Sequence, residues 1–162
     1  MRKDAVWMNI AGLLLPKSTV AYLYDDYTLR QALEKMRHHG YTNLPVITRD
    51  NHYYGTISEG DLLWYFLDEG TVDLSKCEDV RLRDSIHIRK FPLATIDMNI
   101  PEVVDLLIDY NFLPVVDARE SFVGIVTRNK ILKKLAEASK EVFKREMTTI
   151  SYGNPSILAQ NS

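Results

Sequence analysis

Apolar residues fall at Leu29, Ala32, Leu33 and Met36 and again at Ile100, Val103, Val104 and Leu107, spaced 3, 1, 3 in both places. That spacing is the buried face of a helix. Thr28 with Gln31, and Asn99 with Glu102, set an N-cap side chain three residues ahead of a Gln or Glu, so both helices start alike. Downstream, the stretches Leu44 to Ser58 and Leu113 to Thr127 each read as two β-rich runs around polar turn residues, which predicts a hairpin. A further helix follows each hairpin, from about Glu59 to Leu67 and from about Arg128 to Arg145. The second carries Ile131, Leu132, Leu135, Val142 and Phe143 on one side.

These elements are two copies of one unit. Leu44-Pro45-Val46 recurs as Leu113-Pro114-Val115 and Gly55 as Gly124, displaced by 69 positions, whereas the helical faces are displaced by 71. The second copy has therefore lost two residues between helix and hairpin, which should reshape the loop before its strand. Each unit is β-α-β-β-α, and a unit so small cannot cover its own sheet, so the expected fold is α/β (α+β) with both copies packed as one body. The first domain is expected over residues 13–67, a polar linker over 68–79 and the second domain over 80–139. Residues 140–162 are then the end of the last helix and a flexible tail.

Composition narrows the function classes. A formal charge of -2 supplies no global field for nucleic acid or anionic lipid, so any anion site must be local. Cys77 is the only cysteine, which excludes an internal disulfide and a thiolate cage, and a reducing cytoplasm fits it best. The apolar run Ala5 to Leu15 is too short to span a bilayer and has Asp4 in its basic flank, so it is expected to be a leading helix packed on the domain. His38 and His39 are adjacent on a helix, about 100° apart, and cannot chelate one ion. Asp25-Asp26 reads as a turn between a strand and a capped helix. No catalytic constellation and no metal site emerges. The basic residues from Arg128 to Arg145 are interrupted by Glu137 and Glu141, as on a solvated helix face.

A capped helix, a short loop, Leu-Pro-Val, a hairpin turn and then a glycine, two apolar residues, Ser or Thr, and an Asp three positions later resembles the CBS (cystathionine β-synthase) domain. Gly55-Thr56-Ile57-Ser58-Glu59-Gly60-Asp61-Leu62 matches that motif in full, and Gly124-Ile125-Val126-Thr127-Arg128-Asn129-Lys130-Ile131 matches until Lys130 replaces the Asp. The resemblance implies a paired, Bateman-type module with two ligand clefts, commonly a homodimer. It implies a cleft A built from Thr19, Val20, Ala21, Tyr41, Thr42, Thr127, Arg128 and Asn129. It implies a cleft B built from Leu93, Ala94, Asn111, Phe112, Ser58 and Asp61.

In cleft B an aspartate near a helix start can accept both hydrogen bonds of a 2′,3′-diol, and Ser58 can donate to a phosphate or ribose oxygen, which suits AMP, ADP or ATP. The same two residues also suit simple capping of the helix. In cleft A, Arg128 can grip a phosphate in two places and Tyr41 can stack on an adenine, so a cyclic dinucleotide, which lacks the free diol, suits it. Val20-Ala21, Gly40-Tyr41-Thr42, Phe112-Leu113-Pro114-Val115 and Gly124 to Arg128 resemble small stand-alone bacterial CBS pairs, some of them cyclic di-AMP receptors. The chain departs from them at Thr19 and Asn129, where some carry basic residues. The resemblance implies a non-enzymatic cytoplasmic regulator of a partner protein. No cofactor, membrane or nucleic acid is required, and the expected ligand is cyclic di-AMP, with an AMP/ADP/ATP sensor acting through the Ser58/Asp61 cleft as the alternative. A constitutive scaffold with vestigial clefts and a small nucleotide-cleaving enzyme are the alternatives.

Overall fold

The computed structural model describes residues 10–152. They fall into two compact units, the first ending at Arg128 and the second beginning at Asn129.

The first copy, and the second up to the start of its last helix, lie in the first unit. The first runs β2 (Leu23–Tyr24), α1 (Leu29–His39), β3 (Asn43–Ile47), β4 (Tyr53–Ser58) and α2 (Glu59–Asp68). After a short helix α3 (Leu82–Ser85), the second runs β5 (Ala94–Thr95), α4 (Ile100–Leu107), β6 (Phe112–Val116) and β7 (Phe122–Thr127), and Arg128 opens α5 (Arg128–Tyr152). In each copy a two-residue strand pairs parallel with the Leu-Pro-Val strand, which pairs antiparallel with the last strand. Both expected capping boxes are formed: Thr28 with Gln31 and Asn99 with Glu102.

A proline in a central strand needs an explanation, because it has no N–H to give. Pro45 lies opposite Thr56, whose N–H donates outward to the carbonyl of Arg89 at 2.7 Å. The Pro45–Thr56 pair thus exchanges no ladder bond through that donor, and on the other side pairing with β2 begins only at Val46, opposite Leu23. Pro45 therefore sits where neither neighbour requires its missing donor.

Each copy lends a crossing segment to the other copy's sheet. β1 (Leu15–Pro16) pairs antiparallel with β7, giving a sheet ordered β1-β7-β6-β5 beside the three-stranded sheet β2-β3-β4. In the mirror position, Arg89 bridges antiparallel to Thr56 on β4. Both crossings pass over the repeated glycine, where a Cβ on Gly55 would lie 2.3 Å from Ile88 Cγ2 and one on Gly124 2.1 Å from the Leu15 carbonyl oxygen. The hairpin turns interlock as well. Phe122 N–H donates to Asn51 O at 2.8 Å, and the Asn51 side-chain amide donates back to Phe122 O at 3.1 Å. The first core gathers Leu23, Leu29, Ala32, Met36, Leu44, Val46, Ile57 and Leu62. Its counterpart holds Val103, Leu107, Leu113, Val115 and Val126.

Two expectations, the leading helix and the end of the last helix, are corrected. The apolar leader is not a helix where it is described: Ala11–Leu13 is one 3-10 turn and β1 follows. Pro16 disfavours helix at Leu15, and β7 offers the pair strand partners, Ile125 opposite Leu15 and the bare backbone of Gly124 opposite Pro16. The part of the expected helix over residues 1–9 lies outside the described residues. The segment expected as the linker is anchored to the first copy. Cys77 is buried in the first core, Glu78 pairs with Arg30, and Leu29 N–H donates to Val80 O at 2.9 Å. The last helix runs past Arg145 to Tyr152, with the Thr148 hydroxyl donating back to Lys144 O at 2.8 Å. The rest of the expected tail lies outside the described residues. The described part of the second unit, taken by itself, is this helix from Asn129 on, with Leu132, Leu135, Val142, Phe143 and Met147 exposed.

Candidate functional site

β4 ends at Ser58, and the chain turns there into α2. Ser58 is the N-cap, its Oγ accepting from Asp61 N–H at 3.2 Å, while Asp61 Oδ2 accepts from Ser58 N–H at 2.7 Å and from its hydroxyl at 2.6 Å. A third party completes the cluster. One guanidinium nitrogen of Arg89 donates to Ser58 Oγ at 3.1 Å and to Asp61 Oδ2 at 3.3 Å. The Asp61 side chain is 16% exposed and that of Arg89 51%. Three of these five bonds converge on Oδ2 and the other two on Ser58 Oγ. This is a carboxylate at the positive end of a helix, a hydroxyl and a half-exposed cation within hydrogen-bond reach of one another.

Arg89 is fixed by its backbone rather than its side chain, through the bond from Thr56. The chain beyond it turns towards the second copy, where the Phe91 ring lies 4.7 Å from Tyr110 and 5.4 Å from Phe112. Phe91 N–H donates to the Tyr53 hydroxyl at 3.1 Å, and that hydroxyl lies 2.8 Å from Thr56 Oγ1. Burial pushes the Tyr53 phenol above its ordinary range. Phe112 is thereby linked to the segment that carries Arg89. Asn111 offers its carbonyl to Arg128 N–H at 2.9 Å, as Thr42 offers its own to Glu59 N–H at 3.0 Å. Ala94 is buried in β5, and Leu93 is exposed. Strand register puts Ala94 opposite Val115 as Leu23 is opposite Val46. Counted back from the strand, Phe91 and Pro92 hold the places of Val20 and Ala21. Asp61 also lines a cavity of about 220 Å³, together with Trp64, Tyr65, Asp68, Ser85, Ile86 and His87.

The cleft A residues are engaged differently. Thr19 closes a 3-10 turn (Lys17–Thr19) against β7, its hydroxyl donating to Pro16 O at 2.9 Å. Val20 is half-buried and Ala21 buried. Tyr41 is exposed and stacks on His39 at 5.7 Å with 4° between the planes, while Thr42 Oγ1 accepts from the Asn43 amide at 3.2 Å. Thr127 ends β7 opposite Phe112. Arg128 turns to the end of α4: its Nε donates to Leu107 O at 2.7 Å and Tyr110 O at 3.2 Å, and its terminal nitrogen to Ile108 O at 3.2 Å. Asn129 belongs to the second unit.

The two-residue deletion explains that use of Arg128. α1 ends on Gly40 in the left-handed region, φ 64°, whose N–H closes onto Met36 O. α4 is three residues shorter, has no glycine at its end, and leaves carbonyls that Arg128 satisfies instead. Sequence reasoning missed Arg89 and Phe91 because neither stands in the repeated motif. The one available signal was the displacement rule carried back from the strand, which aligns Phe91 and Pro92 with cleft A residues.

The family model of the CBS domain matches residues 12–68 and 82–137. An uncharacterised protein of Methanopyrus kandleri is 32% identical over 103 residues, 61% of this chain and 49% of that protein, so the chain spans about half of that relative. Among solved structures, a CBS domain protein from Streptococcus pneumoniae is 30% identical, with a TM-score of 0.71 and coverage of 78% of this chain and 86% of that one. The Listeria monocytogenes CbpB protein, solved in complex with cyclic di-AMP, is 27% identical, with a TM-score of 0.71 and coverage of 81% and 97%.

Proposed function

The chain belongs to the CBS domain family, and from that premise we propose that it is a non-enzymatic regulatory protein whose Ser58–Asp61 end binds an adenine nucleotide. The observation that carries this reading is the cluster itself. A carboxylate with two oxygens at a helix start is matched to a ribose diol, and a hydroxyl and a guanidinium beside it are matched to phosphate. The capping box fixes Asp61 before any ligand arrives, so little ordering cost remains on binding.

The aromatic edge of Phe91 and Phe112 supplies the apolar surface that an adenine needs. No described helix is long and apolar enough to cross a membrane, and a cytoplasmic setting suits the single thiol. The protein acts by presenting a nucleotide-dependent surface to a partner protein. A second copy of the chain covers the exposed Leu63, Trp64 and Leu67 of α2.

A second reading is favoured by the likeness to the Listeria protein solved with cyclic di-AMP. Here the dinucleotide occupies cleft A, between Thr19–Ala21, Tyr41–Thr42 and Thr127–Arg128, and draws Arg128 away from α4.

Titration calorimetry with AMP, 2′-deoxy-AMP and cyclic di-AMP tests the first reading. AMP should bind and 2′-deoxy-AMP should lose about tenfold or more, because a site built to pair a hydroxyl is left with an unsatisfied acceptor. Equal binding of the two removes Asp61 from ribose recognition. Binding of cyclic di-AMP alone selects the second reading, and binding of none leaves a constitutive scaffold.

A further inference from the structure

Arg89 stands at the Ser58–Asp61 site with its backbone clamped and its side chain half exposed. Its backbone carbonyl accepts from Thr56 N–H at 2.7 Å, and the Gly55 backbone beneath leaves no room for a Cβ, so the Arg89 pivot cannot drift. The guanidinium, by contrast, has one nitrogen bonded to Ser58 Oγ and Asp61 Oδ2 at 3.1 and 3.3 Å. Those two acceptors are the groups on which a sugar hydroxyl would have to settle. A guanidinium has five donors, so occupying two acceptors through one nitrogen leaves most of its capacity unused.

Resting on the nucleotide reading above, we propose that Arg89 is the specificity-determining residue of this site, a phosphate-selecting latch. In the unliganded chain Arg89 neutralises Asp61. A nucleoside alone has to displace the arginine from the carboxylate and offers it nothing in return. A nucleoside 5′-phosphate supplies an anion for the guanidinium to move to, so Asp61 is released to the ribose diol while the cation stays paired. Exchange of one anion for another costs little, whereas stranding either charge costs more. The site therefore prefers a phosphorylated nucleoside over the nucleoside itself. Ser58 hands its hydroxyl to whichever group replaces Arg89.

The test is calorimetric titration of the full chain with AMP and with adenosine, in the parent, Arg89→Gln and Arg89→Lys, each first shown to unfold cooperatively on heating. The parent should bind AMP about ten- to a hundredfold tighter than adenosine, the span of one charge-assisted contact. Arg89→Gln should weaken AMP by a similar factor and leave adenosine unchanged or tighter, since the latch no longer competes for Asp61. Arg89→Lys keeps the charge without the planar fork, so it should retain part of the preference. It also serves as the test if the glutamine variant fails to fold, a fall in preference of several-fold being then expected. A preference for AMP that survives either substitution unchanged overturns the latch, and so does an equal loss of both ligands. Failure of the parent to bind either ligand is a different result, which overturns the nucleotide reading itself.

Discussion

Gly124 holds its α-carbon so close to the chain at Leu15 that a methyl group there would lie 2.1 Å from the Leu15 carbonyl oxygen. The obstacle is backbone, which cannot swing aside. Gly124→Ala must therefore push β1 off β7, and it should cost at least the ~1–3 kcal/mol typical of overpacking. Gly55→Ala meets the Ile88 side chain at 2.3 Å and the Arg89 carbonyl at 3.0 Å. Part of that obstacle can yield, so the loss should be smaller. Urea unfolding of both variants checks the order, and a milder Gly124→Ala would contradict the crossing geometry.

Arg128 closes the end of α4 with bonds to three carbonyls. Removing it leaves those acceptors without a charged donor, so Arg128→Ala should destabilise the protein by about 1.5–3 kcal/mol. AMP binding at the Ser58 site should be unaffected. Thermal unfolding and titration of the same sample read both effects. An unchanged melting temperature would mean that the arginine is not held at α4.

The duplication, the two hairpins and the helix caps could be read from the chain because each is local. Thr28 and Gln31, or Asn99 and Glu102, need only three residues of context. The crossing segments could not. Leu15–Pro16 and Arg89 each join a distant strand through one or two residues, too few to leave a hydrophobic period. The apolar run before Pro16 therefore suggested a helix, where its described part makes a 3-10 turn and a strand. At the site, Ser58 and Asp61 stood out through their motif, whereas Arg89 depends on a pairing across 31 positions. The deletion before β6 was visible as a change of displacement from 69 to 71. Its consequence, an arginine taking over the work of a helix-ending glycine, was not.

Leu63, Trp64 and Leu67 lie on one side of α2 at helical spacing, with exposures of 54%, 62% and 60%. If a second copy covers them, Trp64→Glu should convert a dimer into a monomer on light scattering without loss of the folded circular dichroism spectrum. A parent already monomeric at high concentration would contradict the dimer.

The two hairpin turns are capped by different chemistry. In the first, Thr48 Oγ1 accepts from His52 N–H at 3.1 Å. In the second, Asp117 Oδ1 accepts from Ser121 and Arg119 N–H, both at 2.9 Å, and these bonds hold its carboxyl below the usual range. A lowered carboxylate contributes stability above its unfolded pKa, about 3.9, and loses that contribution as the pH falls through the lowered value. Amide exchange around residues 117–121 should therefore quicken relative to residues 48–52 on acidification below about pH 4. Asp117→Asn should remove the difference. Equal acid sensitivity of the two turns would contradict this.

Recognition of a nucleotide's ribose by Asp61 is read directly in a crystal structure of the chain grown with AMP. Both ribose hydroxyls should lie within hydrogen-bond distance of the Asp61 carboxylate, with the Arg89 guanidinium moved from Asp61 to the phosphate. AMP bound elsewhere, with the Ser58–Asp61–Arg89 cluster unchanged, would contradict it.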